Sequence, residues 1–194
     1  MIKGIINKYF RMLLWKVFKF ERWHISLLSQ REYAQDVIEF SNKKNFDSIV
    51  EIGTGIGDVI RNIYAKKKLC LDLEKNILKA NKFLSFFINK GNKNIDFEEF
   101  DIYKCSLTEK YDLIIMLNWI HNIESKVLQK SFSKFINQNL NKNGYLIFDI
   151  LENKSYKYNH DIEYLLEGIK NIDIVVSDKK YEYDRKLIYV RLNR

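Results

Sequence analysis

Apolar residues in this chain recur with two different periods. Over residues 1–20, MIKGIINKYFRMLLWKVFKF, a turn of 100° per residue gathers Ile2, Ile6, Tyr9, Leu13, Val17 and Phe20 on one side. Lys8, Arg11, Lys19 and Arg22 gather on the other, which predicts a basic amphipathic helix. A second helix is predicted over 31–43, REYAQDVIEFSNK. Beyond residue 46, short apolar runs alternate with helical stretches. Strands are predicted at Ser48–Ile52, Leu69–Leu73, Asp96–Phe100, Tyr111–Leu117 and Tyr145–Ile150. Helices fall between and after them, at Asp58–Ala65, Lys75–Ile88, Lys126–Asn139 and Ile162–Ile169. Two further strands, Ile172–Asp178 and Lys186–Leu192, close the pattern.

Strands that alternate with helices of this length predict an α/β domain with a mostly parallel sheet and helices on both faces. The closing pair differs, because Lys179–Arg185 is too short for a parallel crossover, so the last strand should run antiparallel. The expected organisation is an N-terminal helical segment over 1–45 followed by one domain over 46–194. At 194 residues, the chain is long enough to bury a real core.

Charge changes this picture at one end. Residues 1–24 carry six cationic side chains against Glu21, so five of the eight net positive charges lie there. Three readings of the leading helix follow: it packs its apolar face on the domain, it lies on an anionic membrane surface, or it meets nucleic acid. Nucleic acid is disfavoured because the remaining chain carries little net charge. The two cysteines, Cys70 and Cys105, have no metal-ligand spacing and are too few for a disulfide framework, which points to a reduced, cytoplasmic setting. No apolar run is long enough to span a membrane, and no cleavage site follows the first apolar stretch, so neither an integral anchor nor a signal peptide is expected. Peripheral contact at the inner membrane face through residues 1–20 stays open. The three histidines, at 24, 121 and 160, share no metal-binding spacing, and no metal is expected.

Candidate chemistry begins in SIVEIGTGIGDVI, residues 48–60. The chain has 7 glycines and no proline, yet Gly53, Gly55 and Gly57 fall within five positions, directly after a buried strand and before a helix. Glycine permits the tight turn and lets backbone approach a ligand closely. A dinucleotide fingerprint would need glycine at position 58, where Asp58 stands, and that carboxylate would repel a pyrophosphate.

The spacing E-x-G-x-G-x-G, from Glu51 to Gly57 with Thr54 inside it, resembles the first motif of class I S-adenosylmethionine-dependent methyltransferases. The resemblance runs from about residue 46 to 192 and implies a Rossmann-like methyltransferase fold with a seven-stranded sheet. In LCLDLEKNILKAN, Asp72 closes the second strand, where the family's acid accepts hydrogen bonds from both ribose hydroxyls; Leu73 follows it. In IDFEEFDIYKC, Asp101 stands where the family meets the adenine amino group, and Ile102 would face the ring. EKYDLIIMLNWIHNI resembles the fourth-strand motif, with Asp112 at its entrance and Asn118 beside the methionine end. In NLNKNGYLIFDIL, Lys142-Asn143-Gly144 replaces the family's usual proline-glycine turn.

The resemblance implies a methyltransferase with S-adenosylmethionine as cofactor. The absence of an Asn/Asp-Pro-Pro-Tyr motif disfavours nucleobase and glutamine amino groups. A hydroxyl acceptor would need a base; the candidates are His121, oriented by Asp149, and His160. Trp119, Tyr156 and Tyr158 are candidate acceptor contacts, the tyrosines lying in the loop 152–164. Asp184 and Arg185 are read as turn residues of the terminal hairpin. The combination with N-W-I-H-N-I is similar to uncharacterised methyltransferases of bacterial surface-polysaccharide gene clusters, which implies a small-molecule or sugar/glycan hydroxyl as acceptor. The competing expectations are an RNA methyltransferase and a non-catalytic cofactor-binding protein.

Overall fold

The structure is a computed structural model that describes residues 2–88, 94–151 and 156–193, with side chains of the first helix from Lys8 onward. Ile2 and Ile6 of the expected apolar face, and residues 152–155 of the expected acceptor loop, fall outside the described side chains.

In chain order the elements are α1 (Ile2–Phe18), α2 (Glu32–Lys44), β1 (Ser48–Ile52), α3 (Asp58–Arg61), β2 (Lys67–Asp72), α4 (Lys75–Ile88), β3 (Ile95–Glu99) and β4 (Tyr111–Met116). There follow α5 (Ser125–Lys134), β5 (Leu140–Ile150), α6 (Ile162–Leu166), β6 (Ile172–Val176) and β7 (Lys186–Leu192). The strands form one seven-stranded sheet in the order β3-β2-β1-β4-β5-β7-β6. β1 to β5 pair in parallel, while β7 runs antiparallel to both β5 and β6. β1 is buried along nearly all its length, as the central strand of a sheet covered on both faces must be. Its Val50 and Ile52 pack with Leu128 and Phe132 of α5 and with Leu165 of α6. Ile49 instead faces Ala34 and Val37 of α2 and Val59 and Ile60 of α3, so helices cover both faces.

Element types agree with the pattern, and boundaries shift where local chemistry intervenes. α3 is a single turn, ending four residues before its predicted end. β5 begins at Leu140, five residues early, because Asn143 takes φ +59° and lets the strand pass through the bend at Gly144. The predicted helix 126–139 is α5 continued by a wider π turn over Phe135–Asn139, which leaves Asn139 Nδ2 donating to the carbonyls of Leu107 and Glu109. Asp112 works at the amino end of β4. Its carboxylate accepts from the amides of Asp47 and Ser48 and from Asn141, tying three strand entrances together.

The largest correction concerns α1. On the reading that the apolar side packs on the domain, Arg11 would face solvent and Tyr9, Leu13, Val17 and Phe20 would be buried; Phe20 is buried, but Arg11 is only 6% exposed while Tyr9, Leu13 and Val17 are 68%, 57% and 62% exposed. The helix packs through Arg11, Leu14 and Phe18, with Leu14 joining Ile77, Ala80 and Leu84 of α4. One buried ion pair reverses what apolar periodicity predicts. No helix among the described residues is long and apolar enough to cross a membrane.

Candidate active site

The carboxyl ends of β1, β2 and β4 open onto a crevice. Gly53, Gly55 and Gly57 all adopt positive φ there, at +74°, +54° and +75°. Close approach adds a second constraint: a Cβ on Gly53 would stand 2.2 Å from Trp119 Cδ1, and one on Gly57 would stand 2.4 Å from Asn81 Oδ1. Beneath the loop, Glu51 Oε2 accepts from the Thr54 hydroxyl and from the Ile60 amide. Burial pushes its carboxyl up to about 8, the Thr54 and Ile60 hydrogen bonds offsetting only part of that.

Asp72 lies at the tip of β2. Its Oδ2 accepts from the Gly55 amide and its Oδ1 from the Glu74 amide, so the carboxylate is aimed into the loop with lone pairs to spare. Burial raises its pKa. Asp101 caps the turn after β3, accepting from Tyr103, and Lys104 beside it holds its carboxyl below the usual range.

Two cavities occupy the crevice. The first, about 570 Å³, is lined by Glu51, Gly53, Thr54, Gly55, Arg31, Asn118, Tyr156 and Arg185. The second, about 480 Å³, is lined by Asp72, Leu73, Asp101, Ile102, Trp119 and Ile123. Trp23 and His24 border both. They come from a short 3-10 turn, Arg22–Ile25, and their rings stack at 3.6 Å. Glu21 accepts from Trp23 Nε1, and His24 Nε2 lies 3.5 Å from Glu74, which fastens this strap across the crevice. Burial first, and then Arg31, lower the His24 pKa to about 3. Glu21, His24 and Glu74 are also the one group among the described residues whose side-chain spacing would suit a metal ion.

A polar lattice stands beside the first cavity. Asp149, fully buried at the end of β5, accepts from the Asn118 amide at 2.5 Å, lies 3.2 Å from His121 Nε2 and is ion-paired with Arg185. Arg185 also donates to Asn118 Oδ1 and lies over the Tyr33 ring at 4.3 Å. Asn118 takes φ +51°, a conformation this lattice maintains. Arg185 was expected to be a turn residue; the left-handed Tyr183 and Asp184 before it fold it inward instead.

The site places the expected bases away from the cavity wall. His121 is 1% exposed, with Tyr156 against its ring at 4.8 Å. Burial, then Arg185, lower its pKa to about 4. With Nε2–H given to Asp149, its buried Nδ1 has no partner among the described residues. In His160, Nε2 must donate to the Ile120 carbonyl, so Nδ1 accepts from Ser125, and both nitrogens are committed. Tyr156 donates to Asn118, whereas Tyr158 pairs its amide with the His121 carbonyl and lines neither cavity.

Sequence reasoning missed Arg31, Arg185, Trp23, His24, Tyr33 and Tyr183. Arg31 is the most informative. It is ion-paired with Asp58, lines the first cavity, and its buried Nε has no partner among the described residues. The glycine cradle, the aimed Asp72 and this orphaned guanidinium donor fit S-adenosylmethionine, an amino acid joined to a nucleoside. Asp72 would take the ribose hydroxyls, Leu73, Asp101 and Ile102 the adenine, and Arg31 with Asn118 the methionine end.

Sheet order, glycine loop and crevice chemistry define a class I S-adenosylmethionine-dependent methyltransferase. The sequence profile of the Nodulation protein S (NodS) family matches residues 19–162, and the chain belongs to that family. Solved structures agree on the fold. One is a methyltransferase from Clostridium acetobutylicum, 19% identical over 85% of this chain and 92% of that one, with a TM-score of 0.67. Another is the N-methyltransferase NodS of Bradyrhizobium japonicum with S-adenosyl-L-homocysteine, 16% identical over 84% and 87%, TM-score 0.68. A third is the magnesium protoporphyrin IX methyltransferase of Synechocystis with bound cofactor, 13% identical over 98% and 97%, TM-score 0.68. Curated proteins give no sequence match.

Proposed function

We propose that this enzyme transfers a methyl group to a small-molecule or sugar/glycan acceptor held in the cavity between the glycine loop and the terminal hairpin. The cofactor supplies an electrophilic methyl on a sulfonium; the chain's own task is alignment, for which holding both partners at reacting distance is worth about 7–11 kcal/mol in favourable cases. The cavity's rim combines the rings of Trp23, Tyr33, Tyr156 and Tyr183 with the polar ends of Gln30, Glu182 and Arg185. Flat rings beside hydrogen-bonding groups suit a polar ring such as a sugar.

The observation that carries the choice of nucleophile is the position of the histidines. Neither His121 nor His160 lines the acceptor cavity, and His121, at about 4, is too weakly basic to draw a proton from a hydroxyl near neutral pH. An amine needs no such help once neutral, so the favoured reaction is N-methylation of an amine on such an acceptor. NodS of Bradyrhizobium japonicum, a relative in fold and family, is described as an N-methyltransferase.

O-methylation of a sugar hydroxyl is the second reading. It is favoured by the unpartnered Nδ1 of His121, which Asp149 orients from the other side. An amino sugar and its N-acetylated counterpart, each incubated with labelled cofactor, separate the two. Methylation of the amino sugar alone, with His121→Ala retaining most of the rate, supports the amine. Methylation of both, with a rate loss of roughly 10²–10⁴-fold in His121→Ala, supports the hydroxyl. Peripheral membrane contact through residues 1–20 belongs to the same reading, supported by the absence of any acid in α1.

A further inference from the structure

The exposed side of α1 is one half of a larger surface. At 100° per residue, Tyr9, Leu13, Val17 and Phe10 form one stripe, and Lys16 borders it. α4 packs against α1 and turns Lys79, Lys82, Phe83 and Phe86 to solvent, positions spaced three and four apart on one face. Phe86 is 80% exposed and Phe87 57%. The two helices share one run of rings: Phe18 of α1 meets Phe83 at 5.6 Å, Phe83 meets Phe87 at 4.6 Å, and Phe87 meets Phe86 at 5.4 Å. Scattered apolar residues on a surface need no explanation; a continuous aromatic run across two helices does.

Within the two helices the ionic groups have one sign. Neither α1 nor α4 contains a single Asp or Glu, and both contribute exposed lysines. Lysine ringing aromatic side chains is the chemistry of an anionic bilayer surface, where ammonium groups meet lipid phosphates and rings enter the acyl boundary. A second copy of this chain would present the same lysines and repel. Each helix joins the strap at one of its ends. α1 leads through Glu21 into the Trp23–His24 strap, and α4 starts directly after Glu74, the strap's fastening.

We propose that α1 and α4 together form a docking face for an anionic membrane, with Phe86 and Phe87 as its inserting side chains. This deepens the membrane part of the reading above and rests on it for biological meaning, but not for its test.

The test is sedimentation of the full chain with vesicles of pure phosphatidylcholine or of phosphatidylcholine mixed with phosphatidylglycerol, at low and high salt. Cofactor affinity is followed by calorimetry as the check on folding and on the catalytic reading. Binding is expected with the anionic vesicles, weakening with salt, and falling at least about tenfold in Lys79→Glu/Lys82→Glu and in Phe86→Ser/Phe87→Ser while cofactor affinity is kept. No vesicle binding, equal binding to both vesicles, or binding unchanged in both variants overturns the proposal. A dimer that the Phe86→Ser/Phe87→Ser variant splits also overturns it, assigning the face to a second copy. Loss of cofactor binding in the parent chain is a separate failure, that of the methyltransferase reading.

Discussion

Arg185 concentrates the difference between what a sequence pattern contains and what packing adds. It stands in a short polar stretch between two strands, where a turn is the economical reading. The fold places it against the buried Asp149, with Tyr33 beneath its guanidinium and Asn118 at its second nitrogen. Replacing it by glutamine leaves that carboxylate buried without its charge partner, an expected loss of about 3–5 kcal/mol, read from denaturant unfolding. The substitution also removes a cationic neighbour that lowers the His121 pKa. His121 should then titrate closer to its ordinary value, measured by NMR on its ring protons. A histidine pKa that stays near 4 would mean burial alone sets it. At this scale the glycine turn and the strand-tip acids were legible in sequence, because Gly53, Asp72 and Asp101 sit at fixed offsets from strand ends. The outer rim of the first cavity was not. Arg31, Tyr33, Tyr183 and Arg185 converge from segments far apart in the chain, and no local spacing announces that.

Between elements, Asp58 does more than open α3. Arg11 of α1, Arg31 before α2 and Arg61 of α3 all meet its carboxylate. Burial pushes that carboxyl up, but the three guanidinium groups hold it below its ordinary value. The glycine loop is thereby tied to both N-terminal helices through a single acid. Asp58→Asn keeps the shape and removes the charge, leaving three cations crowded at one spot. It should cost about 3–5 kcal/mol, and limited proteolysis should cut within 1–31 much faster than in the parent chain. Unchanged cleavage would show that apolar packing of Leu14 and Phe18 alone holds α1. The pattern of strands and helices was readable because period and length report on backbone type. The orientation of α1 was not, because amphipathicity says that a helix has two faces, and an internal ion pair can choose the one that goes inward.

For the molecule as a whole, opposite burial effects predict a stability maximum near pH 6.5. Buried His24 and His121 have pKa values lowered from 6.5 to about 3 and about 4, and His160 is lowered too, so below pH 6.5 the unfolded chain binds more protons and stability falls with acid. Glu51 acts in the other direction. Its pKa rises from 4.5 to about 8, so between those values the folded chain holds a proton the unfolded chain has lost, and stability declines as pH rises. Below 6.5 the histidines outweigh this single proton; above 7 their share fades and it dominates, with a slope well under the one-proton limit of about 1.4 kcal/mol per pH unit that levels off past 8. Thermal unfolding from pH 5 to 9 should show both limbs, and Glu51→Gln should flatten the alkaline one. An alkaline decline that persists in Glu51→Gln would remove this carboxyl as its source. The same proton links stability to the reaction. Glu51 lines the cavity that would take the positively charged end of S-adenosylmethionine, and a cation there favours the carboxylate. Cofactor binding near pH 7 should therefore release part of a proton, visible as a binding enthalpy that changes with the buffer's ionisation enthalpy, and the dependence should vanish in Glu51→Gln.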